Sequence, residues 1–224
     1  MNQTTESEQP GSDPFAEQRQ QMVMNHLRGR GLRNKRVLAA MAQVPREEFV
    51  LPSCRSRAYS DCALPIEYQQ TISQPFTVAF MCEMVSPQPD ERVLEIGTGS
   101  GYGAAVLSRL AAHVHTVEQI PELADSARAR LQRLGFKNVT VHCADGSAGL
   151  PEEGPFDVIV VTAAAAHLPA PYEGQLTDGG RIIIPLEHGA SGQSLVRFNQ
   201  TDSGLVETDL GAFTFVPLIG RFAR

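Results

Sequence analysis

Residues 93–102 read VLEIGTGSGY. Apolar residues run straight into three glycines at alternate positions, Gly97, Gly99 and Gly101, and helix-compatible sequence (AAVLSRLAA) follows at once. A strand that breaks into a glycine loop and then a helix leaves bare backbone N–H groups at a helix N-terminus. That arrangement accepts an anionic group and lets a ligand approach the backbone closely. The dinucleotide fingerprint G-x-G-x-x-G needs Gly or Ala at position 102, where this chain has Tyr102. The loop therefore points to a cofactor of a different class.

Outward from this loop the pattern is regular. Strands are predicted at 92–96, 114–118, 139–142, 156–161 and 180–184, with helices at about 102–111 and 121–134 and a shorter one near 168–177. The tail reads as two more strands, SLVRFNQ and ETDLGAFTFV, around an Asp-Ser-Gly turn at 202–204. Strands alternating with helices imply a parallel sheet with right-handed crossovers. The expectation is a doubly wound α/β fold: a mostly parallel seven-stranded sheet flanked by helices, residues 91–224. Upstream, residues 15–50 show helical periodicity interrupted at Gly29–Gly31, and PFTVAFMCEMV predicts a helix over 75–85 with proline in its first turn. Residues 15–90 are read as a helical cap and acceptor loop of the same domain. Residues 1–14 are polar and are read as a disordered tail.

Composition narrows the class. The 224 residues carry a net charge of −6, which disfavours nonspecific nucleic-acid binding. The basic cluster from Arg28 to Arg36 reads as a solvated face. Cys54, Cys62, Cys82 and Cys143 form no C-x-x-C pair and have no histidines at zinc spacing, so no metal site is expected and free thiols in a reducing compartment are. The N-terminal residues lack a signal-peptide pattern, and the longest apolar run, VIVVTAAAAHL at 158–168, is too short to cross a bilayer. Cytoplasmic residence as a monomer, away from membranes, is the expectation.

Three features should converge beyond the carboxyl ends of the strands, where open α/β sheets bind ligands. The first is the glycine loop. The second is Glu118, which ends the second strand 21 positions after Gly97 and can accept both hydroxyls of a ribose; its plainer role is a helix N-terminal acid. The third is Asp145-Gly146 after the third strand, where the acid can accept from an adenine amine or simply close a turn.

G-x-G-x-G preceded by Glu95 is similar to motif I of S-adenosylmethionine-dependent methyltransferases. More specifically, residues 20–220 resemble the protein-L-isoaspartate O-methyltransferase family. The matching stretches are VPREEFV (44–50), AYSDCALPI (58–66), QTISQP (70–75), LEIGTGSGY (94–102), CADG (143–146), PFDVIVVTAA (155–164), LTDGGRIIIP (176–185) and FVPL (215–218). QTISQP discriminates, because methyltransferases in general share the glycine loop but not this segment.

The resemblance implies a Rossmann-like methyltransferase that esterifies the free α-carboxylate of L-isoaspartyl residues in damaged proteins or peptides, starting their repair through a succinimide. It implies S-adenosyl-L-methionine as cofactor, held by Thr71, Ile72, Ser73, Gln74, Glu95, Gly97, Thr98, Gly99, Gly101, Glu118, Gln119, Asp145 and Gly146. Ser73 matches the family's active-site position; it also suits an N-cap for the helix that begins near Pro75. The chain departs from the family at Glu67, where Gly is usual after L-P-I, and at Ala166, where Pro is usual after the alanine run. These departures bear on substrate preference. The competing readings are a methyltransferase of small molecules, a nicotinamide oxidoreductase and a catalytically silent binding protein on the same fold.

Overall fold

The computed structural model describes residues 13–188 and 192–223. Apart from Asp13 and Pro14, the expected disordered tail lies outside them.

The core is a seven-stranded sheet. Five strands are parallel: β3 (Arg92–Ile96), β4 (His113–Glu118), β5 (Val139–Cys143), β6 (Phe156–Val161) and β7 (Leu176–Glu187). Two more, β8 (Gln193–Thr201) and β9 (Gly204–Phe213), continue it antiparallel. The order across the sheet is β5-β4-β3-β6-β7-β8-β9. A two-stranded ribbon, β1 (Leu64–Pro65) with β2 (Thr71–Ile72), carries the QTISQP segment outside this sheet. β3, β4 and β6 are buried on both faces, which their near-continuous apolar sequence requires.

The helices α4 (Tyr102–Leu107) and α5 (Pro121–Arg133) make the crossovers on one face. The cap supplies α1 (Ala16–Gln21), which runs on as a π-helical segment to Leu27, then α2 (Lys35–Gln43) and α3 (Pro75–Val85). Gly31, at φ 103°, breaks the first run as expected, and the Asn34 side chain caps α2 by accepting from the N–H groups of Arg36 and Val37. One hydrophobic cluster joins Met22, Leu27, Val37, Met41 and Phe49 of the cap to Tyr102 and Val106 of α4. A second, on the opposite face, gathers Leu94, Ile96, Phe156, Ile159 and Ile184.

Three elements differ from the sequence expectation. The helix predicted over 168–177 is only a 3-10 segment, Ala170–Gln175, because Pro169, Pro171 and Gly174 deny it a continuous backbone ladder. The strand predicted at 180–184 begins earlier, at Leu176, and crosses a register shift between Phe156 and Val158 of its neighbour, with Gly179 at φ 75°. The helix predicted over 102–111 ends at Leu107 and unwinds through turns.

Candidate active site

The order reverses beside β3, with the next unit on β4 to one side and the return on β6 to the other. The glycine loop leaves the carboxyl end of β3 at this switch point. It borders a cleft of about 690 Å³, within the range of small-molecule sites. Of the residues expected from the sequence, Thr71, Ile72, Ser73, Gln74, Glu95, Gly97, Thr98, Gly99, Glu118, Gln119 and Gly146 line it. Gly101 and Asp145 do not.

Glycine at 97 is forced twice. Its φ is 97°, and a Cβ there would lie 2.3 Å from Thr162 Oγ1. The Thr162 hydroxyl donates to the carbonyl oxygens of Ile96 and Gly97, pinning the end of β3 to β6. Glu118 then ties the loop to β4. Its buried carboxylate accepts the Gly99 N–H at 2.9 Å through Oε2 and the Ile120 N–H at 3.1 Å through Oε1. Each oxygen retains a lone pair for a ligand hydroxyl.

Beneath the loop, Glu95 is 1% exposed. The Thr116 hydroxyl donates to its Oε2 at 2.6 Å, and Thr98 bonds Thr116 in turn. Burial pushes the Glu95 carboxyl up to about 8, against the hydrogen bond from Thr116 and with the help of nearby Glu118. Gly103, absent from the sequence expectation, exists to make room for this acid: a Cβ would sit 2.1 Å from Glu95 Oε1. The signal was the fourth alternate glycine in GTGSGYG.

Tyr102, the residue that excluded the dinucleotide fingerprint, is 1% exposed. Its ring packs edge-on to Phe49 and lies 4.7 Å from the Arg46 guanidinium. Burial raises its hydroxyl to about 12.

Arg46, from VPREEFV, was not foreseen as a site residue. It is fully buried, donates to Ala58 O and to Ser73 O at 2.8 Å each, and keeps Nη1 unpartnered among the described residues. It thereby ties the backbone at Ser73 to that at Ala58. Ser73 itself is half-buried on the cleft wall, and its hydroxyl has no hydrogen-bond partner among the described residues. The N-cap of α3 is Gln74, which makes no side-chain cap bond. The capping role considered for Ser73 is therefore corrected: the chain reaches the cap position one residue later, and Gln74 Nε2 is drawn instead to Asp61 O.

Asp145 is committed elsewhere. Its Oδ1 accepts from the N–H and hydroxyl of Ser147, and its Oδ2 accepts the Arg221 N–H at 2.8 Å. Partial burial alone would raise this carboxyl, but the bonds from Arg221 and Ser147 outweigh it and hold it below the usual carboxylate value. Asp145 thus anchors the C-terminal segment beside the cleft. That segment, Phe213 to Ile219, forms a cleft wall that sequence reasoning did not anticipate. Ala164 holds it by donating to Val216 O and accepting from the Leu218 N–H. Ala166 uses the N–H that proline would lack to reach Ala223 O at 3.4 Å.

Glu67 is exposed and does not line the cleft. It begins a turn in which Tyr68 and Gln69 both adopt φ 58°.

A model of the protein-L-isoaspartate(D-aspartate) O-methyltransferase family matches residues 17–223. A protein-L-isoaspartate O-methyltransferase of Roseiflexus sp. is 51% identical over 93% of this chain and 95% of its own. One from Synechococcus sp. is 48% identical over 93% and 88%. A solved protein-L-isoaspartate O-methyltransferase superposes with a TM-score of 0.82 at 34% identity, covering 92% of this chain and 67% of that one. A Plasmodium falciparum homologue, described as a putative protein-L-isoaspartate O-methyltransferase and solved with S-adenosyl-L-homocysteine, gives 0.78 at 25% identity over 90% and 98%. The chain belongs to the protein-L-isoaspartate(D-aspartate) O-methyltransferase family.

Proposed function

We propose that this chain transfers the methyl group of S-adenosyl-L-methionine to the α-carboxylate of L-isoaspartyl residues in damaged proteins or peptides. The observation that carries the reading is the Ser73 hydroxyl, unpartnered among the described residues, on the wall of the same cleft that the glycine loop and Glu118 line, within the segment that separates this family from other methyltransferases.

The residues fit the cofactor. Glu118 offers two buried carboxylate lone pairs, Gly97 and Gly99 carry no side chain to fill the cradle, and the Thr98 hydroxyl between them is bonded to Thr116. Thr71, Ile72, Gln74, Thr98, Gln119 and Gly146 complete the lining. Asp145 and Gly101 enter only as supports, the first of the C-terminal wall and the second of the start of α4. The cofactor supplies an electrophilic methyl group on a sulfonium, so the chemistry demands little acid or base from the protein. The isoaspartyl carboxylate is already ionised at neutral pH and needs no general base. The protein has to aim one carboxylate oxygen and exclude water. Ser73 donates a single hydrogen bond to the carboxylate; a bidentate arginine would draw off its nucleophilicity. Arg46 stays behind the wall, fixing Ser73 by its carbonyl oxygen. The ester product then closes to a succinimide without the enzyme: the neighbouring backbone nitrogen attacks the ester carbonyl, the acyl C–O bond breaks, and methanol leaves carrying the amide proton.

The same reading takes residues 15–90 as cap and acceptor wall, residues 91–224 as the cofactor core, and the working form as a cytoplasmic monomer. Four free cysteines, one of them exposed, support a reducing compartment. Among the described residues no helix is long and apolar enough to cross a membrane.

Transfer of radiolabel from S-adenosylmethionine to an isoaspartyl peptide, compared with its aspartyl twin, tests the reading. Label in the isoaspartyl peptide alone is expected. Equal labelling of both, or none, overturns it.

A further inference from the structure

We propose a divalent transition-metal site, of the kind that takes Zn²⁺, formed by His115 Nδ1, His142 Nε2 and Glu153. The three residues come from β4, β5 and the loop before β6, and their ligand atoms lie within 4.8 Å of one another. His115 Nδ1 is 3.2 Å from His142 Nε2 and 3.9 Å from Glu153 Oε2. Ligands at zinc bond lengths in a tetrahedron are about 3.3 Å apart, so the two imidazoles already stand at a coordination edge. Glu153 has to close by about 0.6 Å on His115 and by up to about 1.5 Å on His142, a side-chain movement open to it because it sits on a partly exposed turn. Two imidazoles and one carboxylate suit zinc-like ions better than magnesium or calcium, and leave a fourth position for water.

The surroundings are consistent with a built site. His115 is 6% exposed and packs edge-on to Phe156, which fixes its ring. The neighbouring charge is Arg92, whose Nη2 lies 3.3 Å from His115 Nε2. Arginine can only donate, so without metal Nε2 accepts and the ring proton sits on Nδ1, inside the contact with His142. Binding moves that proton to Nε2 and opens the Arg92 contact. Arg92 keeps its bonds to the carbonyl oxygens of Glu153 and Pro155, so the loop stays anchored. His113, its ring centroid 4.6 Å from that of His115 at a tilt of 51°, bonds Thr140 and is not a ligand. The site lies three residues, about 10 Å, down β4 from Glu118, so its role is to clamp the Glu153 loop to the sheet rather than to act on substrate.

Calorimetric titration of tag-free protein with Zn²⁺, and visible spectra with Co²⁺, test this. One Zn²⁺ per chain is expected, with a raised Tm, no response to Mg²⁺, and a four-coordinate cobalt spectrum without a thiolate charge-transfer band. His142→Ala and Glu153→Gln should each weaken binding at least tenfold, and Cys143→Ser, at the exposed thiol next door, should leave it unchanged. Absence of stoichiometric binding overturns the proposal. So does binding that survives both ligand substitutions or that disappears in Cys143→Ser. Should His142→Ala fail to fold, the loop variant Glu153→Gln decides alone.

Discussion

Glu118 and Gly99 are joined side chain to backbone, carboxylate Oε2 to N–H at 2.9 Å, so the end of one strand sets the shape of the loop that leaves its neighbour. The same carboxylate is the group proposed to hold the cofactor's ribose. Glu118→Ala should weaken S-adenosylhomocysteine binding by about 1.5–3 kcal/mol, the value of a charge-assisted hydrogen bond, with a smaller fall in kcat at saturating cofactor. Calorimetry with steady-state kinetics reads both. Unchanged affinity would reduce Glu118 to a brace for the loop and for the start of α5.

Arg46 and Ser73 form the second relationship with a measurable consequence. Arg46→Ala leaves the carbonyl oxygens of Ala58 and Ser73 without their donor, and each unpaired buried acceptor costs about 1–3 kcal/mol. A clear drop in Tm is expected, with KM for peptide rising at temperatures where the variant is folded. A Tm within a degree of the parent would show that water replaces the guanidinium and that the wall does not depend on it.

Much of this architecture was legible. The glycine loop, Glu118 and the βα alternation are local patterns, and a mostly parallel sheet with right-handed crossovers follows from them. What was illegible is tertiary. Arg46 looks like any charged residue in VPREEFV until α4 and the acceptor ribbon bury it. Asp145 follows its strand as a cofactor acid would, and nothing in its local sequence tells that the N–H of Arg221, 76 residues later, also bonds its carboxylate. The register shift in β7 and the failed helix before it turn on proline and glycine placement that periodicity averages away.

Glu95 predicts a pH signature. Its carboxyl titrates near 8 in the fold and at an ordinary value when unfolded. The native state therefore holds the proton longer, and stability from this group is complete at acid pH and declines as pH rises toward about 8. Glu95→Gln, which keeps the acceptor for Thr116 and cannot ionise, should flatten that decline. Urea unfolding of both proteins between about pH 5 and pH 8 isolates the effect, since other groups cancel in the difference. Parallel profiles would mean that Glu95 is ionised in the fold.

Gly103 and Glu95 should be coupled. Gly103→Ala places a methyl 2.1 Å from Glu95 Oε1 and should cost about 1–3 kcal/mol as overpacking. Against a Glu95→Ala background, where the obstructing carboxylate is gone, most of that cost should vanish. A double-mutant cycle measures the coupling, and strictly additive losses would show that α4 has slack to absorb the methyl.

Ser73 carries the sharpest prediction. Its hydroxyl is unpartnered among the described residues, and the N-cap position of α3 is Gln74 rather than Ser73, so removing it costs no cap. Ser73→Ala should stay within about 0.5 kcal/mol of the parent in stability, as for a side chain with no structural bond to lose. Cofactor affinity should change little. Turnover of isoaspartyl peptide should fall roughly tenfold, the equivalent of one hydrogen bond of about 1.4 kcal/mol to the reacting carboxylate. Ser73→Asp should be worse, because it sets a second negative charge beside the acceptor. Ser73→Asn, neutral and still a donor, should fall between the parent and the aspartate. The serine does not act as a nucleophile, since an ionised carboxylate can take the methyl directly, so no methylated Ser73 should be found by mass spectrometry after turnover. Parent-like turnover in all three variants would move the acceptor site away from this wall and leave the Ser73 hydroxyl without a role.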